Sequence, residues 1–478
     1  MSEWNTKLLG EVAENTSRRF NFKGKDKVIF INTGDVLEGK FLHADYSEVA
    51  GLPGQAKKAI KKGDILYSEI RPGNKRYVYI DFDADDYVVS TKFMVIRPNT
   101  NEVSSKFLYM LLTSKACEEE FKIVADSRSG TFPQITFDSV AYYSIKYPES
   151  NDQERLVEIS DSILNKIELN RQTNQTLELI AQALFKCWFV DFEPTRAKII
   201  AKEKGANSAI QELAAQAIIC GAMTLEQLEA ITQNLETTLQ QAINEKLNQA
   251  NQTPINTEQL KTTAALFPNA LVESELGEIP EGWEVVGFKH IVKKYIDNRG
   301  KTPPITDKGI PLLEVKHLPE GSIKPNLNTT KYVDDETFKS WFRAHLETDD
   351  IMISTVGTIG RICMVPEGEK IAIAQNLLGM RFKREKVSPF FMYYQMDGFR
   401  FRHDVDARLV ITVQASIKRK DLETIDLLMP KIELQNQFEK FVKPFIAMQQ
   451  SNQEIGLSEV RDILLPKLLS GELSVSSD

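Results

Sequence analysis

The sequence has no run of about 18 apolar residues, so no segment is long and oily enough to cross a bilayer as a helix. It has only four cysteines, Cys117, Cys187, Cys220 and Cys363, and no Cys-x-x-Cys pair among them. That scatter excludes a disulfide framework or a thiolate zinc site and reads as free thiols in a reducing cytosol. Met1-Ser2-Glu3-Trp4 opens no secretory signal, which sets the expectation of a cytoplasmic protein with no membrane partner. His43, His290, His317, His345 and His403 show no metal-ligand spacing, so no metal site is expected. There is no nucleophile elbow, no glycine-rich cofactor loop, and no Pro-Pro-Tyr/Phe motif of the kind that grips an extruded base. Gly300-Lys301-Thr302 looks like the end of a phosphate-binding loop, but Tyr295 stands where its first glycine should be and Pro303-Pro304 where its helix should begin. Gly357-Thr358-Ile359-Gly360 is read as a tight turn between strands. Carboxylates are plentiful and no pair stands out. These absences argue against an enzyme acting alone.

What is present is an ordinary globular composition, 42% hydrophobic and 26% charged over 478 residues, enough for about three domains. The net charge of -8 is unevenly placed. Residues 1–148 carry 21 Lys and Arg against 20 Asp and Glu, residues 280–430 carry 23 against 21, and the remainder carries 15 against 26. Two similar-sized blocks are slightly basic and the spacers are acidic, which permits nucleic-acid binding without requiring it.

The chain is written twice. Gly63-Asp64-Ile65-Leu66-Tyr67-Ser68 resembles Asp349-Asp350-Ile351-Met352-Ile353-Ser354 at an offset of 286 residues. The stretch 87–112 aligns without gaps to 371–396 at an offset of 284, with Arg97/Arg381, Val103/Val387, Ser104/Ser388, Phe107/Phe391 and Tyr109/Tyr393 coinciding. Ile135/Ile417, Pro148/Pro430, Gln153/Gln435 and Asn170/Asn452 follow at 282, and Trp4 and Trp283 lie 279 apart. Four windows in one order, drifting by a few residues, mark a duplication.

Each copy begins with a mixed block of short β-branched and aromatic runs, such as 28–32, 77–82 and 87–96, broken by Gly, Pro, Asn and Asp. A helical stretch follows. Leu156, Ile159, Ile163, Ile167, Asn170, Asn174 and Leu177 recur at spacings of three and four, and so do Leu434, Phe438, Phe441, Phe445, Met448, Asn452 and Ile455. That spacing suits two packed helices. Pro444 should kink the second or delay its start. Asn170 and Asn452 hold equivalent seam positions; they are either two solvated polar residues or one buried layer pairing the helices antiparallel. A helix over 153–190 would be about 57 Å long at 1.5 Å per residue. Residues 196–265 have no counterpart in the second copy and read as an inserted helical excursion plus linker, with helical spacing over 210–219 and 225–247. Their Asn and Gln content suggests a solvated surface more than a site. The expected fold class is α+β, with two duplicated mixed α/β blocks separated by long antiparallel, coiled-coil-like spacer helices.

Recognition chemistry remains. Arg71, Asn74, Lys75 and Arg76 lie in one turn between strand-like runs. Arg128, Thr131 and Gln134 belong to a polar loop over 126–134. The second block offers Asn298, Arg299, Lys301 and Thr302, then Thr358 and Arg361, then Arg408, Gln414, Ser416, Lys418 and Arg419. Arg and Lys can bond guanine edges, Asn and Gln adenine edges, and Lys, Ser and Thr can hold phosphates. Any one such residue could be merely solvated. As a set, present in both blocks with no catalytic alternative, they are read as a DNA-binding surface.

These features resemble the specificity subunits of type I restriction-modification systems. The resemblance is carried along nearly the whole chain by Gly63-Asp64-Ile65-Leu66; Asp350-Ile351-Met352-Ile353-Ser354 with Gly357, Gly360 and Arg361; and Ala183-Leu184-Phe185-Lys186-Cys187-Trp188-Phe189-Val190-Asp191-Phe192. It continues in Glu275-Leu276-Gly277-Glu278-Ile279-Pro280-Glu281-Gly282-Trp283, Asp297-Asn298-Arg299-Gly300-Lys301-Thr302-Pro303 and Leu468-Leu469-Ser470-Gly471-Glu472-Leu473; the long 196–265 excursion departs from the pattern. The resemblance implies target-recognition domains over 1–148 and 280–430, spacer helix regions over 149–195 and 431–478, and an insertion and linker over 196–279. It implies a non-catalytic subunit that reads a split, asymmetric sequence in double-stranded DNA. It also implies docking of methyltransferase subunits, two in number, for adenine methylation, and of restriction motor-nuclease subunits for cleavage of unmethylated DNA. S-adenosylmethionine, ATP and magnesium would belong to those partners and none to this chain. The rival readings are a duplicated protein-binding adaptor and a fused restriction-methylation enzyme; the second lacks its motifs.

Overall fold

The structure, a computed structural model, describes residues 4–128, 133–249, 257–298, 300–410 and 414–451. They divide into two compact units, one reaching to Asn170 and the other starting at Arg171.

In the first unit, strands Ala13–Asn15, Phe93–Pro98, Ile65–Ser68 and Tyr77–Tyr79 form an antiparallel sheet in that order. A second sheet runs Tyr46–Glu48, Lys27–Ile31, Tyr87–Ser90, Ala56–Ala59, its middle pair parallel. The single apolar run expected over 87–96 is thus two strands in two sheets. Phe93–Pro98 is buried on both faces, and the two-residue period of a strand sorts its side chains. Met94 and Ile96 join the core under the helices, while Phe93 and Val95 join the core of the other sheet. Asn5–Leu8 pairs with Ser144–Tyr147 and ties the ends of the block together.

The second unit repeats this plan. Its antiparallel sheet runs Val292–Ile296, Leu377–Phe382, Ile351–Ser354, Ile362–Met364, and its smaller sheet runs Tyr332–Val333, Ile310–Leu313, Ala372–Ile373 with the last pair parallel. Glu284–Gly287 pairs with Asp426–Met429. Again Ile351 and Ile353 face one core and Met352 the other.

Four of the residue pairs that betray the duplication are polar groups, most of them buried, with matched partners. Asp64 is fully buried and accepts two bonds from Arg97, both 2.7 Å, while taking the Lys61 amide at 2.9 Å. Asp350 accepts from Arg381 at 3.0 and 2.8 Å and takes the Glu347 amide at 2.8 Å. A bidentate guanidinium satisfies a carboxylate that would otherwise be stranded in the core. The Gln153 amide accepts the Ser104 N–H and donates to the Glu102 and Pro148 carbonyls. Gln435 does the same with Ser388, Lys386 and Pro430. Ser104 and Ser388 in turn cap the following helices by accepting from Phe107 and Phe391.

The helix Ser150–Phe189 is continuous over 40 residues, about 60 Å at 1.5 Å per residue. In the second unit it packs against Ile432–Ser451. Phe185 and Trp188 meet Phe438 at 5.6 and 6.0 Å between ring centroids, Trp188 meets Phe441 at 5.2 Å, and the Asn174 carbonyl accepts from Gln449 at 3.0 Å. The partner number rises as the helix number falls, so the pair is antiparallel. Two details of the expected seam differ. The second helix starts at Ile432, well before Pro444, so the proline does not delay it. Met448 is 50% exposed, and Val442 and Ile446 are buried in its stead. Asn170 is buried, but Asn452 and Ile455 lie outside the described residues, as does the motif Leu468 to Leu473.

The excursion is less solvated than its composition suggests. Helices Glu193–Glu203, Ser208–Ile219, Leu225–Ala230, Leu235–Gln249 and Thr257–Ala265 share a core of Ala197, Ala201, Ala214, Leu228, Leu239, Ile243 and Leu260 that is continuous with Trp188 and Phe267. Alanine lets their backbones approach closely. The run expected over 225–247 is broken at Asn234, which has φ 54°. The hairpin Leu271–Ser274 with Gly277–Pro280 then delivers Trp283 onto Phe189 and Phe192.

Candidate nucleic-acid interface

Both units place a polar turn at one spot of the fold. In the first, the turn joins Ile65–Ser68 to Tyr77–Tyr79; the Ser68 amide donates to the Arg76 carbonyl at 2.9 Å and closes it. In the second, the turn joins Ile351–Ser354 to Ile362–Met364, and Ser354 donates to Arg361 at 2.9 Å. A second segment comes alongside each. Ile70 bridges Gln134, the Arg71 amide donates to the Pro133 carbonyl at 2.9 Å, and the Ile135 amide donates to Glu69 at 2.8 Å. Val356 bridges Ser416, the Gly357 amide donates to Ala415 at 3.3 Å, and the Ile417 amide donates to Thr355 at 3.0 Å. Arg76 and Arg361 are therefore structural equivalents, and so are Gln134 and Ser416.

Arg71, Asn74 and Lys75 are exposed on the first turn, while Arg76 and Gln134 beside them are half-buried. Lys75 reaches Glu38 at 2.9 Å, and the Glu38 amide donates to the Lys75 carbonyl at 2.8 Å. That brings in the hairpin Val36–Leu37 with Lys40–Phe41, which sequence reasoning missed. Its signal was present in Glu38-Gly39, both with positive φ, the requirement of a tight two-residue hairpin turn. Asp126, Ser127 and Arg128, expected in a loop, are the end of the helix Lys115–Arg128 instead. Thr131 lies outside the described residues.

In the second unit Thr358 and Gln414 are exposed, with Arg361 and Ser416 half-buried. The Arg361 guanidinium donates to the Leu318 carbonyl at 3.2 Å, and its amide donates to the Ser354 hydroxyl at 2.9 Å. A cleft of about 190 Å3 opens beside them, lined by Glu320, Arg361, Asp397, Arg402 and Asp406 among others. With three carboxylates against two guanidinium groups, it is no pocket for a polyanion.

Not every nominated residue joins this turn. Arg408 is tied to Asp404 at 2.8 and 3.0 Å and to Thr424 at 2.9 Å, which fastens the end of the helix Phe399–Asp406. Arg419 lies 4.0 Å over the Tyr295 ring and bonds Glu423 at 2.8 Å, while Lys418 precedes it at the start of the helix Arg419–Leu422. Asn298 is buried; its side-chain oxygen accepts the Gly300 amide at 3.1 Å and its Nδ2 is left without a partner. It organises the loop from inside, with Lys301 and Thr302 exposed beyond it and Arg299 outside the described residues. Among the described residues no group of three or more His, Cys, Asp or Glu could hold a metal ion, and no helix is long and apolar enough to cross a membrane.

The family model for the type I restriction modification DNA specificity domain matches residues 1–179. The chain is 38% identical over 486 residues to the type I restriction enzyme HindI specificity subunit of Haemophilus influenzae, covering 99% of this chain and 100% of that one. It is 22% identical to the MjaIX specificity subunit of Methanocaldococcus jannaschii, covering 99% and 94%. A crystal structure of the S subunit of a type I restriction-modification system from M. genitalium aligns over 100% of this chain and 97% of its own, at 12% identity and a TM-score of 0.47. A relative this similar, matched end to end, establishes that the chain belongs to the specificity subunits of type I restriction-modification systems.

Proposed function

We propose that this non-catalytic subunit reads a split, asymmetric DNA sequence, one half through each duplicated block, 1–148 and 280–430. Its two helical regions, 149–195 and 431–478, set the unread gap. The observation that carries this reading is the recurrence of one construction in both units: a strand-to-strand turn flanked by a second polar segment, at Arg71–Gln134 and at Thr358–Ser416. The backbone bonds of the two turns are the same while the side chains differ. A common scaffold carrying different donors and acceptors is what an asymmetric target requires. Exposed Lys75, Lys301 and Lys418 would supply sequence-independent phosphate contacts.

Two methyltransferase subunits would dock on the helical regions and bring S-adenosylmethionine for adenine methylation. Motor-nuclease subunits, with ATP and magnesium, would add cleavage of unmethylated sites. Mapping methylated adenines in the host genome with and without this gene tests the reading: one bipartite motif should vanish with the gene. Purified with its methyltransferase, the subunit should bind duplex DNA with a steep loss as salt rises. Binding to protein alone, indifferent to DNA, would instead make it an adaptor.

A further inference from the structure

The smaller sheet of the first unit ends in a basic edge. Residues 17–20 and 57–62 hold six cations, Arg18, Arg19, Lys57, Lys58, Lys61 and Lys62, and no carboxylate. The fold sets the two segments side by side. The Ala59 amide donates to the Arg18 carbonyl at 2.9 Å, the Phe20 amide donates to the Lys57 carbonyl at 2.8 Å, and Arg19 bridges Lys58. Lys58 is 8% exposed and donates to the Phe93 carbonyl at 2.6 Å. The other five are exposed, and among the described residues none of them has an ion-pair partner. Other cations of the unit are answered: Lys25 by Asp86, Lys27 by Glu48 and Lys106 by Asp161. Like charges gathered on one edge repel one another, and a polyanion laid against them relieves that repulsion.

The edge is continuous with the recognition turn. The Thr91 amide donates to the Gln55 carbonyl and the Glu69 amide to the Lys92 carbonyl, both at 2.9 Å, which joins the strand carrying Lys57 to the root of the turn at Ile70. In the larger sheet, Ala13–Asn15, which leads into Arg18, is at one edge and Tyr77–Tyr79 at the other. The Gly39 amide ties the hairpin to Tyr77, and the same hairpin reaches the spacer helix through Lys40 and Glu168 at 3.2 Å. The basic edge therefore lies on the side away from the spacer, toward DNA outside the first half-site. From Lys57 to Lys62 the chain spans at most about 18 Å, the rise of about five base pairs.

At the matched offset of 286 residues, Lys57, Lys58, Lys61 and Lys62 become Arg343, Ala344, Glu347 and Thr348 in the second unit. The match is structural too, since the Lys61 amide donates to Asp64 at 2.9 Å and the Glu347 amide to Asp350 at 2.8 Å. Four positive charges give way to one of each sign. We infer that the edge carrying Arg18, Arg19, Lys57, Lys61 and Lys62 is a phosphate-binding surface that grips the DNA backbone just outside the first half-site, a grip the second unit does not reproduce at the matched positions. The inference rests on the reading of the chain as the DNA-recognition subunit.

The test is the triple variant Arg18→Gln, Arg19→Gln, Lys57→Gln in the full chain, assembled with the partner methyltransferase and titrated with duplexes carrying the bipartite motif. Each phosphate contact contributes about 0.9 to the slope of log affinity against log salt. Three lost contacts make the slope about 2.7 shallower, so from about 50 to about 200 mM salt the parent should lose about 40-fold more affinity than the variant. Trimming about five base pairs outside one half-site should weaken the parent and leave the variant unmoved, while trimming outside the other should affect both alike. The methylated motif should be the same for both proteins. Arg18→Lys with Arg19→Lys keeps the charges and should keep the parent's slope, which separates phosphate binding from a structural role. A salt slope and flank dependence equal to the parent's would overturn the inference, as would a changed motif, which would make the contacts base-specific. Loss of methyltransferase from the complex, with DNA binding of the assembled fraction unchanged, would make the edge a protein-docking surface and overturn it too. Failure of the underlying reading looks different: the parent itself would then confer no sequence preference on methylation at all.

Discussion

Glu178 shows how the environment decides what one residue does. It lies on the long helix, 4% exposed, with one carboxylate oxygen accepting from the Gln182 amide at 3.4 Å and with Gln449 and Tyr394 as its other polar neighbours. Asp397 close by has a cation, Arg402, and takes a bond from Gln182 at 3.1 Å. Burial first, and then the charge of Asp397, push the Glu178 carboxyl up to about 7 from its ordinary 4.5. Between those values the folded protein holds a proton that the unfolded chain has released, so stability falls as pH rises through the window and the full penalty stands above 7. At about 1.4 kcal/mol for each unit of pH, the penalty is roughly 3 kcal/mol. Glu178→Gln keeps the shape without the charge. Its gain in urea-unfolding stability over the parent should be small at pH 5 and grow by pH 8; a gain independent of pH would refute this account. Nothing in the sequence marks Glu178, which lies between Leu177 and Leu179 and is polar like many helix residues. Its burial follows from the packing of Tyr394 and Gln449 around it.

At the scale of elements, helical periodicity gave the spacers and their approximate ends, because an apolar residue every three or four positions is a local property of the chain. The expected 153–190 became Ser150–Phe189. The seam itself was harder to place, since Met448 and Ile446 fit the spacing equally and only packing against the partner helix distinguishes them. The spacer reading carries a measurable expectation. Four residues inserted after Asn174 add about 6 Å and about one turn, close to two base pairs of duplex. The complex should then methylate a motif with the same two halves and a longer gap. A folded, active complex that kept the original gap would show that these helices do not set it.

For the whole molecule, duplication is the governing fact, and it predicts independence. Alanine at Arg76 or Gln134 should change preference in one half of the target, and alanine at Arg361 or Gln414 in the other. Each base contact would be worth about 1–3 kcal/mol. Methylation assays on targets varied in each half separately would report it. Changes from both blocks converging on the same base pairs would break the split-reading model. The insertion between the blocks was legible as helical but not as a packed body. Its Asn and Gln residues pointed to solvent, whereas the alanines between them let Glu193–Glu203, Ser208–Ile219 and the helices that follow share a core.

The sequence by itself determined the repeat, the α+β class, the helical spacers and the absence of catalytic motifs. Each of these is written in short-range spacing, or in the same residue recurring at a constant offset, as with Asp64 and Asp350. Only tertiary structure decided which polar residues meet and which are already committed. Gln134 reaches the Arg71 turn, and Ser416 the Gly357 turn, because a distant segment pairs there. Arg408, equally attractive in the sequence, is bound to Asp404 and Thr424. Whether a side chain is free to read DNA depends on neighbours brought to it by the fold, and spacing along the chain carries no record of them.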